Sequence, residues 1–306
     1  MKAMQFTAFG DSGVIQLNQV DQPQPQENEI LIKVAATTVN PFDIKVRSGS
    51  MQKIIPVSLP FTPGSDVAGT VEAIGSGVSR LKVGDKVFAS TFGGTYAEYV
   101  ALKEDQTALI PNNIGFDEAA SLAVPLGTSY SFLVEGGELK AGQHVLIHGA
   151  SGGVGSIMVQ MAKALGAYVI GTASGAGLAL AKSLGADEVI DYKAQDFTKL
   201  VKDVDLVIDL AGGETQAKSF GVIKQGGKLL SAVMPPSEAL AQQYHITAKF
   251  ISSAPSYKKL EFGAKLVEQG KIKTQIAKVV KLEDAAQAED LVSAGGLNGK
   301  IVLEVD

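Results

Sequence analysis

The sequence predicts an α/β fold in two parts, a doubly wound parallel sheet and a second, β-rich domain of shorter strands. Three observations predict it. Beyond residue 140, continuous apolar runs alternate with helical segments, the pattern of parallel strands covered on both faces. The first third instead carries β-branched runs closed by turns such as GSGVSR and KVGD, as antiparallel barrels and sandwiches do. Between a strand and a helix lies the nearly side-chain-free stretch IHGASGGVGS, residues 147–156.

In the first third, EILIKVAATTV (29–39), DVAGTVEAIG (66–75) and DKVFAS (85–90) are expected as half-buried strands. From Asp117 the texture changes. DEAASLAVPLGTSYSFLVEG is expected as helical stretches broken at Pro125 and Gly127, because proline lacks an N–H and crowds the preceding turn. Then come a strand at 144–150, a helix at 154–167, a strand at 168–174 and a helix at 177–186. EVIDY (188–192), a short helix from Asp196, DLVIDLAG (205–212), a further helical segment and GGKLLSAVM (226–234) continue the alternation. After the helical segment 257–270, IAKVVKL and GKIVLEV resume the shorter β texture. The expected domains are therefore 1–118, completed by about 270–306, and 119–269.

Composition removes several function classes. The 306 residues are 45% hydrophobic with 34 glycines, enough for a sizeable core. Net charge is −5, and the 27 Lys and Arg are scattered among 32 acids, so no basic footprint for nucleic acid is expected. The absence of cysteine excludes disulfides, thiolate catalysis and cysteine-containing metal sites. The N-terminal MKAMQFTAFGDSG has no apolar core of the length a secretory signal needs, and no window of about 18 uninterrupted apolar residues occurs. A cytoplasmic protein with no membrane association is expected.

Ala150, Gly152 and Gly155 have the spacing of G-x-G-x-x-G, with alanine in the first place. The motif leaves an expected strand and opens an expected helix, the context that gives it weight. Gly152, Gly153 and Val154 would bring backbone N–H groups to a pyrophosphate, Ala150 opens the turn, and Gly155 would let the helix pack on the strand. The same small residues would also serve tight packing alone. NAD-selective sheets place an acid about 20 residues further on; here that position falls on Ser174, with uncharged Gly175, Ala176 and Gly177 after it. The missing acid favours NADPH over NADH. Lys182, the nearest cation, is expected to be a solvated surface residue.

VNPFDIKVRSG (39–49), PFTPGSDVAGTVEAIGSGVSRLKVGDKVFA (60–89), GGTYAEYV (93–100), HGASGGVGS, LGADEVIDY (184–192) and GKIVLEV occur in this order along the chain. Together they resemble the medium-chain dehydrogenase/reductase superfamily, and within it the zinc-independent quinone oxidoreductase-like branch. The resemblance implies a GroES-like catalytic domain built from both chain ends, a Rossmann NADP-binding domain between, a cleft where NADPH and substrate meet, and a homodimer. Zinc members carry a cysteine in the segment matching VNPFD and a His-Glu pair in the segment matching GSD. Asn40, Ser65 and Asp66 stand there instead, so no metal is expected. Of the three histidines, His144 and His148 share a strand, where packed or hydrogen-bonded core histidines are the expectation.

The same resemblance places Asn40 and Asp43 beside the nicotinamide ribose and substrate as catalytic candidates, Asn40 orienting the cofactor or a water. An Asp after Asn-Pro is equally a natural turn or cap residue. Thr128 matches a threonine that contacts the nicotinamide amide, and would also cap a helix beginning there. Tyr192 matches a tyrosine near the adenosine end of NADPH, or covers the core. Leu210 and Val233 follow strand ends where ligands of parallel sheets gather. Lys300 resembles a basic residue near the cleft, although a lone lysine at a strand start is usually solvent-facing. Tyrosines that relatives use in quinone and enoyl reduction are replaced by Lys45 and Gln52. The implied activity is NADPH-dependent hydride transfer to a small-molecule quinone or α,β-unsaturated carbonyl, which accepts hydride because the charge spreads onto oxygen. A low-turnover NADPH-binding redox sensor or scaffold is the alternative.

Overall fold

The structure, a computed structural model, describes residues 1–305. Strands β1 (Lys2–Phe6), β2 (Ile15–Gln19) and β3 (Glu29–Thr38) precede helix α1 (Pro41–Arg47). β4 (Asp66–Ile74), β5 (Lys86–Ser90), β6 (Tyr99–Lys103) and β7 (Thr107–Leu109) lead to α2 (Phe116–Tyr130). There follow β8 (His144–His148), α3 (Gly155–Ala164), β9 (Tyr168–Ala173), α4 (Ala176–Ser183), β10 (Glu188–Asp191), β11 (Val204–Asp209) and α5 (Gly213–Ser219). β12 (Ile223–Ser231), α6 (Glu238–Gln243), β13 (Thr247–Phe250), α7 (Tyr257–Glu268), β14 (Ile276–Lys281), α8 (Ala285–Ala294) and β15 (Lys300–Glu304) complete the chain. Two compact units result. The first comprises Met1–Val124, Pro255–Glu268 and the chain from Thr274; the second is Pro125–Ala254 with Gln269–Lys273.

The first unit is built on a sheet of order β14-β15-β3-β4-β5-β7, with β6 also on β3. β15 pairs antiparallel with β3 through Val302 and Thr38, so the C-terminal strands do return to the first domain. Ile30, Ile32 and Val34 of β3 meet Val67, Val71, Val87 and Val100 in its core. Antiparallel pairing also decides where the polar residues go. β3 ends at Thr38, while its neighbours β4 and β15 begin at Asp66 and Lys300. Three residues far apart in sequence are thereby gathered at one end of one sheet.

The second unit carries six parallel strands in the order β10-β9-β8-β11-β12-β13. Counted within the unit, this is the third-second-first-fourth-fifth-sixth order of a Rossmann sheet, with its switch point between β8 and β11. Leu146, Ile170, Ile190, Val207 and Leu229, one from each of the first five strands, share its core with Phe197 and Phe220.

Several expectations are corrected. The break at Pro125 and Gly127 does not occur: α2 runs through both and continues as π-helical turns over Ser131–Gly136. Pro125 brings no N–H into the helix, and the Val124 N–H just before it donates to the Asp66 side chain at 2.6 Å. Buried Leu122, Ala123 and Leu126 hold the helix in place. α7 belongs with the first unit, not with the expected 119–269 domain, and the chain passes between units at Val124–Pro125. β12 starts and ends earlier than 226–234, leaving Val233 and Met234 in a turn tied to the Ser231 hydroxyl. His148 is a buried core histidine held by Thr172 and Ser219, and burial lowers its pKa to about 4. His144 is exposed and stacks on Tyr168. Among the described residues, no helix is long and apolar enough to cross a membrane.

Candidate functional site

Each unit carries one group of sequence-predicted site residues. In the second unit, β8 delivers the chain into the turn 149–154. Residues 151–154 are partly exposed, whereas the flanking Ala150 and Gly155 are buried. Gly149 adopts φ +74°, a left-handed conformation that costs glycine little. A Cβ on Gly155 would lie 2.1 Å from the Gly149 carbonyl oxygen, so helix α3 reaches the strand this closely only without a side chain there. Ala150 occupies the place where the motif has its first glycine, and the room for its methyl comes from β9. A Cβ on Gly171 would fall 2.7 Å from that of Ala150.

The Ala150 amide is used by Thr172 and that of Gly152 by Gly149. The Ser156 amide is used by the Gly152 carbonyl and those of Ile157 and Met158 by Val154; the N-terminus of α3 is the positive end of the helix dipole. The turn 149–154 thus presents small, partly exposed residues at the dipole end of α3, the setting in which helix N-termini take anions.

The next strand ends add to this site. The Ser174 hydroxyl, after β9, donates to the Tyr192 hydroxyl, after β10, at 3.0 Å. Tyr192 is 55% exposed, so its ring does not serve the core. No carboxylate stands at Ser174, and Lys182 is tied to the Asp187 carbonyl at the far end of α4. Asp209, fully buried at the end of β11, accepts from the Ala211 and Gly212 amides, Gln216 Nε2 and the Ser231 hydroxyl. It thereby shapes the turns carrying Leu210 and Val233, which are half-buried and exposed respectively. Thr128 lies inside α2, half-buried, and caps no helix. Its capping role is withdrawn.

In the first unit, Asn40 precedes α1 with extended backbone. Its Nδ2 donates to Asp66 Oδ2 at 2.8 Å and its Oδ1 accepts from Lys300 Nζ at 2.5 Å. Lys300 also reaches Asp66 Oδ2 at 3.1 Å, and Thr38 Oγ1 donates to the same oxygen. The solvent-facing setting usual for a lone lysine at a strand start does not apply to Lys300. It is 6% exposed beside a fully buried carboxylate, because an isolated charge of either sign would be costly there. An amide nitrogen has two hydrogens, so Asn40 keeps one N–H beyond the bond to Asp66.

Asp43 is also buried. Its Oδ2 accepts the Asn40 backbone N–H at 2.9 Å, the helix-start role open to such an aspartate, and its Oδ1 accepts from Ser65 Oγ at 2.7 Å. Burial pushes its pKa up to about 6 against these two bonds. Both its oxygens are used, which makes it a support for Asn40. Sequence reasoning missed the part played by Thr38, Ser65 and Asp66 as partners of the candidate residues. The signal available was polar residues at three strand ends that antiparallel pairing brings together. Among the described residues, no group of three or more His, Cys, Asp or Glu is placed to hold a metal ion.

Comparison with known proteins agrees with this organisation. The family model described as alcohol dehydrogenase GroES-like domain matches residues 26–112, and that described as zinc-binding dehydrogenase matches residues 184–303. The chain is similar to the quinone oxidoreductase of Rattus norvegicus, 35% identical over 99% of this chain and 97% of the relative. Among solved structures, the quinone oxidoreductase from Coxiella burnetii superposes with a TM-score of 0.91 at 33% identity, covering 100% of this chain and 99% of the other. The Escherichia coli quinone oxidoreductase complexed with NADPH gives 0.90 at 29% identity, with both chains covered in full.

Proposed function

Since the chain belongs to the zinc-independent quinone oxidoreductase-like branch of the medium-chain dehydrogenase/reductase superfamily, and is therefore an oxidoreductase, we propose that it uses NADPH to reduce quinones or α,β-unsaturated carbonyl compounds. One observation carries the reading. The polar centre at Asn40 is neutralised internally, Lys300 against Asp66, in the segments where zinc members of the superfamily hold their metal. In the same chain a glycine turn opens helix α3 on a Rossmann sheet.

Gly152, Gly153, Val154 and Gly155 would hold the pyrophosphate, and half-buried Ser174 with exposed Tyr192 would receive the adenosine-ribose end without an acid to repel a 2′-phosphate. Leu210 and Val233 offer backbone at the strand ends, and Thr128 is a candidate contact from α2. When bound, NADPH supplies hydride. The remaining Asn40 N–H would orient a neighbouring acceptor or water, while Lys300 and Asp66 keep the amide from rotating and Asp43 holds the Asn40 backbone. A conjugated acceptor suits such a centre, because its developing charge needs positioning and modest hydrogen bonding.

A homodimer is part of the proposal. β13 is an edge strand with Phe250 47% exposed, and pairing with a second copy along that edge would cover it.

The test follows NADPH absorbance with ortho-quinones, para-quinones and 2-alkenals. Loss above the uncatalysed rate with at least one acceptor is expected, with weaker binding of NADH. NADPH binding without turnover of any acceptor would leave a sensor. Gly153→Asp sets a carboxylate against the phosphates and should abolish NADPH binding in a fluorescence titration; retained affinity would move the phosphates elsewhere.

A further inference from the structure

Four phenylalanine rings of the first unit form a row that leads from its core to its surface. Phe6 is fully buried and its ring centre lies 5.6 Å from that of Phe61. Phe61 and Phe42, both half-buried, lie 6.4 and 5.4 Å from Phe92, which is 43% exposed. The two pairs that include Phe92 are edge-on, with interplanar angles of 63° and 67°, an arrangement that the ring quadrupole favours. The row is anchored at Phe6 and open at Phe92.

The backbone around Phe92 is built to present it. Gly93 adopts φ +128°, which glycine tolerates, and a Cβ there would fall 2.5 Å from Phe61 Cζ. The turn is tied down on both sides. The Thr91 N–H donates to the Ser65 carbonyl at 2.9 Å and the Gly94 N–H to the Thr62 carbonyl at 2.8 Å. Ser65 is the residue whose hydroxyl holds Asp43, which in turn holds the Asn40 backbone, and Phe42 lies in α1 between Asn40 and Asp43. The rings and the Asn40 amide are therefore mounted on the same two pieces of chain. Apolar rings beside a few fixed polar groups are the usual make-up of a small-molecule site.

We propose that Phe42 and Phe92 are specificity-determining residues that receive an aromatic ring carried beside the conjugated carbonyl of the acceptor, so that an aryl-substituted acceptor is preferred to its alkyl counterpart. This rests on the reading of the chain as a reductase of conjugated acceptors and names which of them it favours. A flat aryl group adds ring-to-ring contact to the burial of apolar area, whereas a flexible alkyl group must be ordered and offers no ring to match. The occupant is a small molecule, because one exposed ring falls well below the roughly 800 Å² that a stable protein partner covers.

The test measures kcat/KM with NADPH for matched acceptors, 2-phenyl- against 2-tert-butyl-1,4-benzoquinone and 4-phenyl-3-buten-2-one against 3-nonen-2-one, in the wild type and in Phe92→Ala, Phe92→Leu and Phe92→Tyr. The aryl-to-alkyl ratio should fall about tenfold in Phe92→Ala, fall in Phe92→Leu, which keeps apolar bulk without a ring, and recover in Phe92→Tyr. An unchanged ratio, an equal loss for both members of a pair, or a changed sedimentation mass with the ratio intact would overturn the proposal, the last by assigning the rings to a contact between copies. If the wild type turns over none of these acceptors, the reductase reading fails, and the ring site is judged alone by ligand-observed NMR with 4-phenyl-2-butanone, which has no conjugated alkene. Binding that weakens about tenfold in Phe92→Ala supports the site; equal binding, or none to the wild type, overturns it.

Discussion

Asp66 in the first unit and Asp209 in the second are both fully buried carboxylates at strand ends. Each has four donor residues: Thr38, Asn40, Val124 and Lys300 for Asp66, and Ala211, Gly212, Gln216 and Ser231 for Asp209. The difference is one ammonium. Asp66 is matched by a cation, and the donors around it include side chains from separate strand ends. Asp209 has only neutral donors, three of them close behind it in the chain and one from the adjacent strand. The first arrangement fixes a side-chain amide in space; the second fixes the path of a turn. Similar hydrogen bonding therefore serves two tasks, holding a side-chain amide in one unit and shaping a turn in the other, which under the proposed function are the reacting centre and a ligand-facing backbone.

The largest expected effect comes from removing the cation. Lys300→Met leaves Asp66 buried and unpaired and frees Asn40 Oδ1, for a loss of about 3–5 kcal/mol in urea unfolding. Adding Asp66→Asn should recover part of that loss, because the stranded charge is gone. A single-variant loss below about 1 kcal/mol would place Lys300 among ordinary surface pairs and dissolve the contrast with Asp209.

A third carboxylate sharpens the comparison. Asp43 is buried like the other two but has neither a cation in contact nor four donors, and its pKa rises to about 6. A folded-state pKa above the unfolded value gives stability that is complete below the unfolded pKa and is lost as pH rises through the folded one. From the ordinary value of 3.8 to about 6, the loss amounts to about 3 kcal/mol. Glu289, raised from 4.5 to about 7, extends the decline toward neutrality. His148, lowered from 6.5 to about 4, opposes this decline between those values, because the unfolded imidazole binds a proton that the folded one excludes; relative to wild type, Asp43→Asn should therefore gain urea midpoint as pH rises from 4 to 6. Identical pH profiles for wild type and Asp43→Asn would show that Asp43 ionises in the native state as easily as an exposed carboxyl.

The sequence made the second unit more legible than the first. Parallel strands and their crossovers are local, so apolar runs, the glycine turn and the strand-end positions Ser174, Tyr192 and Leu210 could be read in order. Even there, the continuity of α2 through Pro125 was not legible, since Asp66, which accepts the Val124 N–H at that point, comes from another part of the chain. The polar centre of the first unit was legible only as candidates. Asn40 and Lys300 are 260 positions apart and Arg47 and Glu289 are 242 apart; only the pairing of β15 with β3 brings the first pair together. A lysine at a strand start carries no mark of whether the next strand offers it a carboxylate, which is why only the resemblance, and not the residue itself, set Lys300 near the cleft.

The smallest effect is expected on the Asp209 side. Asp209→Asn keeps the shape of the side chain but turns an N–H toward one group of donors that needs an acceptor. Losing those bonds should cost about 1–3 kcal/mol, less than Lys300→Met because no buried charge is stranded. The diagnostic readout is affinity rather than stability. If Asp209 shapes the turn from Leu210 to Gly213, NADPH binding by fluorescence titration should weaken in step with the lost hydrogen bonds. Lys300→Met protein that is still folded should instead bind NADPH nearly as before and lose turnover. The reverse result, cofactor affinity following Lys300 and turnover following Asp209, would mean that the two buried aspartates had been given each other's tasks.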